Sequence, residues 1–406
     1  MLIASVLSIL LSSASAPAST PPSSIVVTGR AIQDKQAALA ACLARGCPPN
    51  EDIDASLALA ETQLIAGKYH EARKSLLAAL GRNKKEAMAY PVPVSDLYRA
   101  NGRVAAHLGM DEDYYRSTWG IYNTLKKGLP SAKDLQYSAM MEVAEMVATT
   151  RGHDRAREYY RSIAFHARKD GRPDIAALAE LRMILRHFPA YARPDAIREI
   201  ADSTDPKTRA AQLEARLALA RIAYENNDIR AADAELGEIS KLDVKRPILI
   251  YSPPWEVGRG PTNPDSAPTL LDRRDVLPTN SGEPASHGRS AVTMLPNGPH
   301  SFASYRMPLN VEDMWMDVGF RITEQGTVGD LQTLRSHGDI GWAKPLLASI
   351  AGRRYTPARS GSPDSIRTER YTYTSGLESG TGTHAVWHSP NARVEYFDLS
   401  DIAGAN

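Results

Sequence analysis

The chain has 406 residues, more than a single hydrophobic core usually serves, so two folded regions are expected. Its 48 basic and 47 acidic residues give a formal net charge of +1 at pH 7. A nearly neutral chain produces no overall field that attracts nucleic acid or an anionic membrane, which argues against nucleic acid as the main partner.

The N-terminus predicts a secretory signal peptide over residues 1–18. An apolar run over residues 1–11 precedes small residues, and Ala16-Pro17-Ala18 has the small-x-small pattern that signal peptidase accepts, although the usual basic residue at the start is missing. The run is much shorter than the ~20 residues that span a bilayer, so we prefer cleavage to a retained anchor. We therefore expect an exported protein.

Residues 19–30 are predicted to be an extended leader. A Pro/Ser stretch is followed by Ile25-Val26-Val27-Thr28-Gly29-Arg30, which has the composition of a strand. This segment resembles the TonB box, the short extended segment of outer-membrane receptors that pairs with the TonB C-terminal domain. The alternative, a flexible leader with a β-prone patch, stays open.

The two cysteines, Cys42 and Cys47, are predicted to form a disulfide. In a continuous helix they would lie too far apart, but Gly46 followed by Pro48 and Pro49 indicates that the helix ends there and the chain turns back. Export to an oxidising compartment favours the disulfide over two free thiols. Further Cys or His ligands at zinc spacing are missing, so we expect no metal and no cofactor.

Residues 31–245 are predicted to be helical, because apolar residues recur at three and four positions. Two stretches resemble tetratricopeptide repeats: Gly67-Lys68-Tyr69 followed by Ala72, Leu76 and Ala79, and Asn227-Asp228-Ile229 followed by Ala232, Leu236 and Ile239. Residues 97–129 and 139–167 are interpreted as degenerate hairpins, and Ala156 follows Gly152 one residue too early for the motif. The resemblance implies an α-solenoid with a surface for a peptide or protein partner.

Tyrosines and arginines of the second and third predicted hairpins are candidates for such a surface. They are Tyr114, Tyr115, Tyr122, Tyr159, Tyr160, Arg155, Arg157 and Arg161. The alternative is that the tyrosines pack between helices and the arginines form a solvated face.

Residues 246–306 are predicted to be a linker or an irregular wrap over a neighbouring surface. Ten prolines lie between residues 247 and 299, mixed with Gly, Ser and Asn, and helix cannot continue through them. One strand is expected at Ile248-Leu249-Ile250-Tyr251.

Residues 307–406 are predicted to be a small α+β domain. Alternation places Met316, Val318 and Phe320 on one face of a half-buried strand and Asp317 and Arg321 on the other. A turn at residues 324–327 leads to a second strand over residues 328–335. A helix over residues 343–350 follows, with Asp339 as a candidate cap and Gly352 as its end, and residues 367–374 form a third strand.

The order strand, strand, helix, strand is similar to the TonB C-terminal domain. The resemblance rests on Val318-Gly319-Phe320-Arg321-Ile322, Gln325-Gly326-Thr327-Val328, Ser336-His337-Gly338, residues 346–350 and Arg354-Tyr355-Thr356-Pro357-Ala358. That family implies strand addition, in which a partner segment pairs with an open sheet edge. The third strand is the candidate edge, with Arg367, Glu369, Tyr371 and Tyr373 as candidate partner-binding residues. The alternative is that the tyrosines pack against neighbouring strands.

The chain also departs from TonB. It lacks the N-terminal membrane anchor and the charged, proline-rich spacer, which puts coupling to an inner-membrane motor in doubt. An added hairpin is expected from residues 384–388 and 393–397, and it could cover the edge that the family leaves open.

The sequence contains none of the catalytic motifs His-Glu-x-x-His, Gly-x-Ser-x-Gly or Gly-x4-Gly-Lys, so we do not expect an enzyme. The expected fold class is multidomain, an N-terminal α-solenoid followed by a C-terminal β-β-α-β domain with an added hairpin. The expected function is that of a periplasmic adaptor that binds an extended protein segment, for example of an outer-membrane receptor. The alternative is a structural or assembly protein of the envelope without energy transduction.

Overall fold

The computed structural model describes residues 29–186, 193–242, 246–255, 314–358, 362–379 and 386–400. Within these ranges the chain is mostly helical, with a repeat-like helical region followed by a small sheet domain. The predicted signal peptide and most of the predicted leader and linker lie outside the described residues. Gly29 and Arg30, predicted to end a strand, instead begin the first helix. No described helix is both long and apolar enough to cross a bilayer.

Eleven α-helices form the helical region within the described ranges. They are α1 (Gly29–Ala44), α2 (Pro49–Ile65), α3 (Tyr69–Asn83), α4 (Pro91–His107), α5 (Asp111–Gly128), α6 (Lys133–Thr150), α7 (His153–Lys169), α8 (Pro173–Leu185), α9 (Pro194–Ala201), α10 (Arg209–Glu225) and α11 (Ile229–Ser240). Consecutive helices pack against each other as antiparallel pairs because short turns join them.

The turns of these hairpins repeat one hydrogen-bond pattern. At the α2–α3 turn the Gly67 N–H donates to Leu64 O and the Lys68 N–H donates to Gln63 O, which is the Schellman arrangement. The α4–α5 turn at Gly109 has the same pair of bonds. Both glycines have positive φ, which a residue without Cβ adopts at little cost.

Cys42 and Cys47 are paired in the structure, with a Cα–Cα distance of 5.2 Å, which is compatible with the predicted disulfide. It closes the α1–α2 turn, where Gly46 has positive φ and the Cys47 N–H donates to Cys42 O. The bridge joins the two residues whose side chains usually make a hydrophobic contact in a Schellman turn. One described group of potential metal ligands combines both sulfurs with Glu51, and the disulfide leaves no thiolate there.

The small residues of the first repeat-like hairpin lie in the helical core as their spacing predicted. Ala72, Leu76 and Ala79 are fully buried, together with Tyr69. The α6–α7 turn differs, as the early Ala156 indicated, because Gly152 is itself the residue that caps α7. This turn is one residue shorter than the turns at Gly67 and Gly109.

Within the described residues, the C-terminal domain contains a four-stranded antiparallel sheet, a two-stranded sheet and the α-helix α12. Its elements are β1 (Leu249–Tyr251), β2 (Met314–Ile322), β3 (Val328–His337), α12 (Lys344–Ala351), β4 (Arg354–Tyr355), β5 (Ile366–Ser379) and β6 (Val386–Asp398). The larger sheet has the order β3-β2-β5-β6, and β1 pairs with β4.

The strand expected at residues 248–251 is confirmed, but it belongs to the C-terminal domain rather than to a linker. It pairs with β4, and Trp255 joins the core of the domain. The same strand contacts the last helices, where the Arg221 side chain donates to Ile250 O at 3.0 Å. The C-terminal domain therefore contacts both the early helices, as shown below, and α10.

The prediction of a half-buried β2 is wrong, because both of its faces are covered. Met316, Val318 and Phe320 pack in the domain core with Leu346 and Ile350 of α12. The opposite face is turned toward the helical region and is buried too. Helices that lie far away in the sequence cover this face. The alternation of residues within the strand therefore could not predict that the face is buried.

The prediction of a separate hairpin formed by residues 384–388 and 393–397 is also wrong. Residues 386–398 form one strand, β6, which pairs with β5 along its length. The hairpin is thus formed by β5 and β6 together, with a register shift near Ser375.

Candidate functional site

The strand predicted to be the open edge is a central strand. β5 pairs with β2 on one side and with β6 on the other. The prediction that Arg367, Glu369, Tyr371 and Tyr373 line an open edge is therefore wrong. The added strand covers that edge, and the alternative that the tyrosines pack inside the sheet domain is the one observed.

Two of these residues, Glu369 and Tyr371, belong to a buried polar cluster on the α12 side of the sheet. Arg353, 1% exposed, donates to Glu369 Oε2 at 2.7 Å and to the Tyr371 hydroxyl at 2.8 Å. The Tyr371 and Tyr396 hydroxyls also donate to Glu369. Burial raises the pKa of Tyr371 well above its usual range. The carboxylate and both hydroxyls are engaged by members of the cluster, and Arg353 Nε is the buried nitrogen of this cluster that has no acceptor within the described residues.

The other two predicted residues are also occupied within the domain. The Arg367 side chain donates to Pro247 O at 2.6 Å and ties β5 to the segment before β1. The Tyr373 ring packs against Trp342, with the ring centroids 5.4 Å apart.

The opposite face of the sheet is built around Asp317, which is fully buried. Arg370 binds it through two hydrogen bonds of 2.6 and 2.9 Å, and Arg335 Nε donates to it at 2.8 Å. Arg370 also donates to Leu64 O at 2.6 Å and to Ile65 O at 2.8 Å. These carbonyls belong to the last turn of α2, at the negative end of the helix dipole, where a cation is favourable.

Two turn glycines let the sheet approach the helices closely. A Cβ atom at Gly67 would lie 2.3 Å from Trp315 Nε1, and one at Gly109 would lie 1.9 Å from Ser375 O. The Leu377 N–H donates to Gly109 O at 3.1 Å, so the sheet is hydrogen-bonded to the α4–α5 turn as well. The sheet thus rests on two successive hairpin turns.

His107 is fully enclosed at this interface. Its Nδ1 lies 2.9 Å from Thr372 Oγ1, which also lies 2.8 Å from the Tyr69 hydroxyl. Burial, with the nearby charges of Arg370, Arg103 and Arg393, lowers the pKa of His107 to about 3. A neutral histidine without solvent access is a packing group here and not an acid–base catalyst.

The groove suggested by the tyrosines of α5 and α7 is packed between helices. The Trp119 ring lies 5.8 Å from the Tyr122 ring and 6.0 Å from the Tyr159 ring. The buried Tyr160 hydroxyl donates to Glu145. These contacts match the interhelix alternative, while Arg155 and Arg161 are exposed and Arg157 pairs with Asp154.

A ladder of half-exposed ion pairs connects four even-numbered helices. Arg99 of α4 donates to Glu142 of α6 at 3.0 Å. From α6, Glu145 reaches Arg182 of α8 at 3.6 Å, and Arg182 donates to Glu214 of α10 at 3.1 Å. These ion pairs link α4 to α6, α6 to α8 and α8 to α10.

The strand edge closest to the predicted one is the outer edge of β6, on the side that faces away from β5. β6 is last in the sheet order, and no described strand pairs with its far side. The Leu399 N–H donates to Thr368 O, and backbone groups alternate in direction along a strand. The N–H and C=O groups of Val394, Tyr396 and Asp398 therefore point away from β5.

A buried carboxylate accompanies this edge. Glu395, 8% exposed, lies on the helical side of β6 and forms an ion pair with Arg393, whose Nε lies 2.7 Å from Glu395 Oε1. Arg393 also contacts Asp111 at 2.7 Å and donates to Ala106 O. Burial, opposed by Arg393 and reinforced by Asp111, raises the pKa of Glu395.

Sequence reasoning missed the residues that join the two regions. They are Trp315, Asp317, Arg335, Arg370 and Arg393. One signal was available, because Trp315 and Asp317 lie on a strand face that alternation assigned to solvent, where a tryptophan is unusual.

The sequence matches no protein family profile and no curated protein. Among solved structures, the crystal structure of BtubC (BKLC) from P. vanneervenii is similar over 52% of this chain and 89% of that protein. The TM-score is 0.38 and the sequence identity is 15%. A likeness this weak supports no conclusion about fold or function.

Proposed function

We propose that this chain is an exported protein-binding protein of the bacterial envelope that holds an extended segment of a partner by strand addition. In this proposal the helical region is a tetratricopeptide-like solenoid and the C-terminal domain is a relative of the TonB C-terminal domain. The partner segment would belong to a protein such as an outer-membrane receptor.

The observation that carries the proposal is the outer edge of β6. β6 pairs with β5 in register over Glu369–Ser375, so its far side presents a regular row of backbone groups. The other edge strand, β3, is less suited to pairing. Its register with β2 shifts twice, and Asp330 has positive φ, and both features are typical of edges that resist strand addition.

The test uses the whole chain, because an isolated C-terminal domain would expose the face that holds Asp317. Amide hydrogen exchange, resolved to single residues, is measured with and without a peptide of the sequence of residues 24–30. We expect the peptide to slow exchange at Val394, Tyr396 and Asp398, whose N–H groups point outward. The same peptide with proline at positions 26 and 28 is the control that cannot pair.

A protein variant provides the matched test. Asp398→Pro removes one outward N–H and leaves the bonds to β5, while Asp398→Asn removes only the charge. Protection lost in the first variant and kept in the second supports strand addition at β6. Unchanged exchange at millimolar wild-type peptide would refute it, because main-chain pairing makes little demand on peptide sequence.

A second candidate function is a structural adaptor of the envelope without energy transduction. The ion-pair ladder between α4 and α10 favours it, because a long polar surface suits assembly contacts. Charge reversal of Glu214 would weaken self-association in sedimentation experiments under that function and would leave peptide protection of β6 unchanged.

A further inference from the structure

The α3–α4 and α5–α6 turns lie side by side at the helix ends opposite the sheet. A Cβ atom at Gly128, the last residue of α5, would lie 2.5 Å from Pro91 Cβ and 2.8 Å from Ala87 O of the preceding turn. The sheet rests on the α2–α3 and α4–α5 turns instead, and the 17 residues of α4 separate the two levels by about 26 Å. Residues 84–93 and 126–135 thus form one surface far from the sheet, which we call the basic tip.

Three apolar side chains of the basic tip are exposed to solvent. Met88 is 66% exposed, Val92 41% and Leu135 42%. Apolar residues that are scattered singly over a surface are ordinary, whereas apolar residues grouped on one surface mark an interaction site. These three lie on turns that contact each other, so they belong to the second class.

The same surface is strongly basic, although the whole chain is nearly neutral. The basic tip contains two acidic residues, Glu86 and Asp134, and Asp134 is paired with Arg172. Its five lysines are all exposed, and they are Lys84, Lys85, Lys126, Lys127 and Lys133. Lysines near the ends of α3 and α5 are favourable to the helix dipoles. The dipoles do not account for the exposed apolar residues beside them.

We propose that the basic tip binds the surface of an anionic lipid bilayer. Met88, Val92 and Leu135 enter the headgroup region, and the lysines contact the lipid phosphates. The positive charge selects an anionic partner, and apolar side chains on protruding turns can enter a bilayer without any change of fold. An apolar contact and a cluster of lysines are each weak on a bilayer, but together they give stable attachment. The sheet domain is then held at the far ends of these helices.

The test measures binding of the whole chain to lipid vesicles by co-sedimentation. Vesicles of phosphatidylcholine and phosphatidylglycerol in equal parts provide the anionic surface. Vesicles of phosphatidylcholine alone give the baseline, which includes any binding by the apolar run over residues 1–11, because that run has no charged side chain. We expect binding above the baseline on the anionic vesicles only. The triple variant Lys84→Gln, Lys85→Gln, Lys127→Gln should lower the partition coefficient about 100-fold, or about fivefold for each lysine.

A matched triple variant removes the same charge elsewhere. Lys68→Gln, Lys207→Gln and Lys344→Gln replace exposed lysines outside the basic tip, so both variants have the same net charge. This control should keep its partition coefficient within about threefold of wild type, because its lysines lie away from the bilayer. Equal losses in the two triple variants would show that only the overall charge matters, and would refute the proposal.

The double variant Met88→Gln, Leu135→Gln tests the apolar contact. It keeps every lysine and should weaken binding to anionic vesicles about tenfold, whereas unchanged binding would refute insertion. Binding to polyglutamate without binding to vesicles would identify an acidic polypeptide as the partner and refute the lipid. Thermal unfolding verifies that each variant is folded. Peptide protection of β6 should be the same in all variants, so this inference and the proposed function can fail independently.

Discussion

Asp317 and Glu395 are carboxylates on the same face of one sheet, and both are buried against the helices. Asp317, on the central strand β2, receives hydrogen bonds from two arginines that also bind the end of α2. Glu395, on the edge strand β6, is paired at 2.7 Å with Arg393 of its own strand. The carboxylate at the centre of the interface therefore links the two regions, whereas the carboxylate at the edge pairs within its own strand.

The difference shows which buried ion pair holds the two regions together. A buried charge that is paired across the interface fixes the arrangement of the two regions, and removing either partner leaves an uncompensated ion. A carboxylate that pairs within its own strand does not connect the two regions, so we expect its loss to cost less. The following predictions test this contrast.

The largest effect is expected from Asp317→Ala. It leaves Arg370 and Arg335 without their shared carboxylate, and breaking a buried ion pair costs about 3–5 kcal/mol. The free energy of unfolding, measured by urea denaturation at pH 7, should fall by that amount. A loss below about 1 kcal/mol would mean that Asp317 contributes no more to stability than an exposed ion pair does.

Gly109→Ala tests the close contact between the sheet and the helices. A Cβ atom there would lie 1.9 Å from Ser375 O, and φ is +69°. Gly171→Ala is the matched control, because Gly171 has nearly the same φ, +70°, and nothing within 4 Å of a Cβ. The control should cost about 1–2 kcal/mol from backbone strain alone. Gly109→Ala should cost clearly more, and equal losses would contradict the contact.

The disulfide provides a measure of stability outside the interface. Replacing Cys42 and Cys47 by alanine opens a short loop, and the chain-entropy estimate for that loop is about 2 kcal/mol. Denaturation midpoints should fall accordingly, while peptide protection of β6 stays unchanged. Loss of peptide protection would show that the α1–α2 turn supports the edge.

The buried His107 predicts a pH dependence of the central interface. Its folded pKa of about 3 lies below the usual 6.5, so the unfolded chain binds more protons between these values. Its contribution to stability is full above pH 6.5 and is lost as pH falls toward 3, by up to about 1.4 kcal/mol per pH unit. His107→Gln should reduce this slope in denaturation series from pH 7 to pH 5. An unchanged slope would show that groups other than His107 cause the pH dependence of stability.

The smallest effect is expected from Glu395→Gln. Burial raises the pKa of Glu395, so folding disfavours its charged form and the charge costs stability above the unfolded pKa. The neutral amide should therefore leave the free energy of unfolding at pH 7 within about 1 kcal/mol of wild type, or raise it. A loss as large as that of Asp317→Ala would show that Glu395 contributes as much to stability as Asp317 does.

Local sequence patterns were sufficient for many of the elements. Helical spacing identified the buried face of α3 through Ala72, Leu76 and Ala79, and the Gly46-Pro48 break indicated the turn that brings the cysteines together. The alternation of Met316, Val318 and Phe320 identified the core side of β2. In each case the signal lies within a few residues of the element that it describes, because backbone geometry fixes which neighbours share a face.

The candidate site could not be predicted from local sequence patterns in the same way. β5 has the composition of a strand whether it lies at an edge or at the centre, and only its pairing with β6 decides which. Asp317 and Arg370 have alternation typical of an exposed face, and only the packing of α2 and α4 makes that face an interface. Sequence by itself determined the helices, most strands and the disulfide, because these depend on local spacing. Tertiary structure decided which edge is open and which carboxylate joins the two regions, because both depend on contacts between residues far apart in the chain.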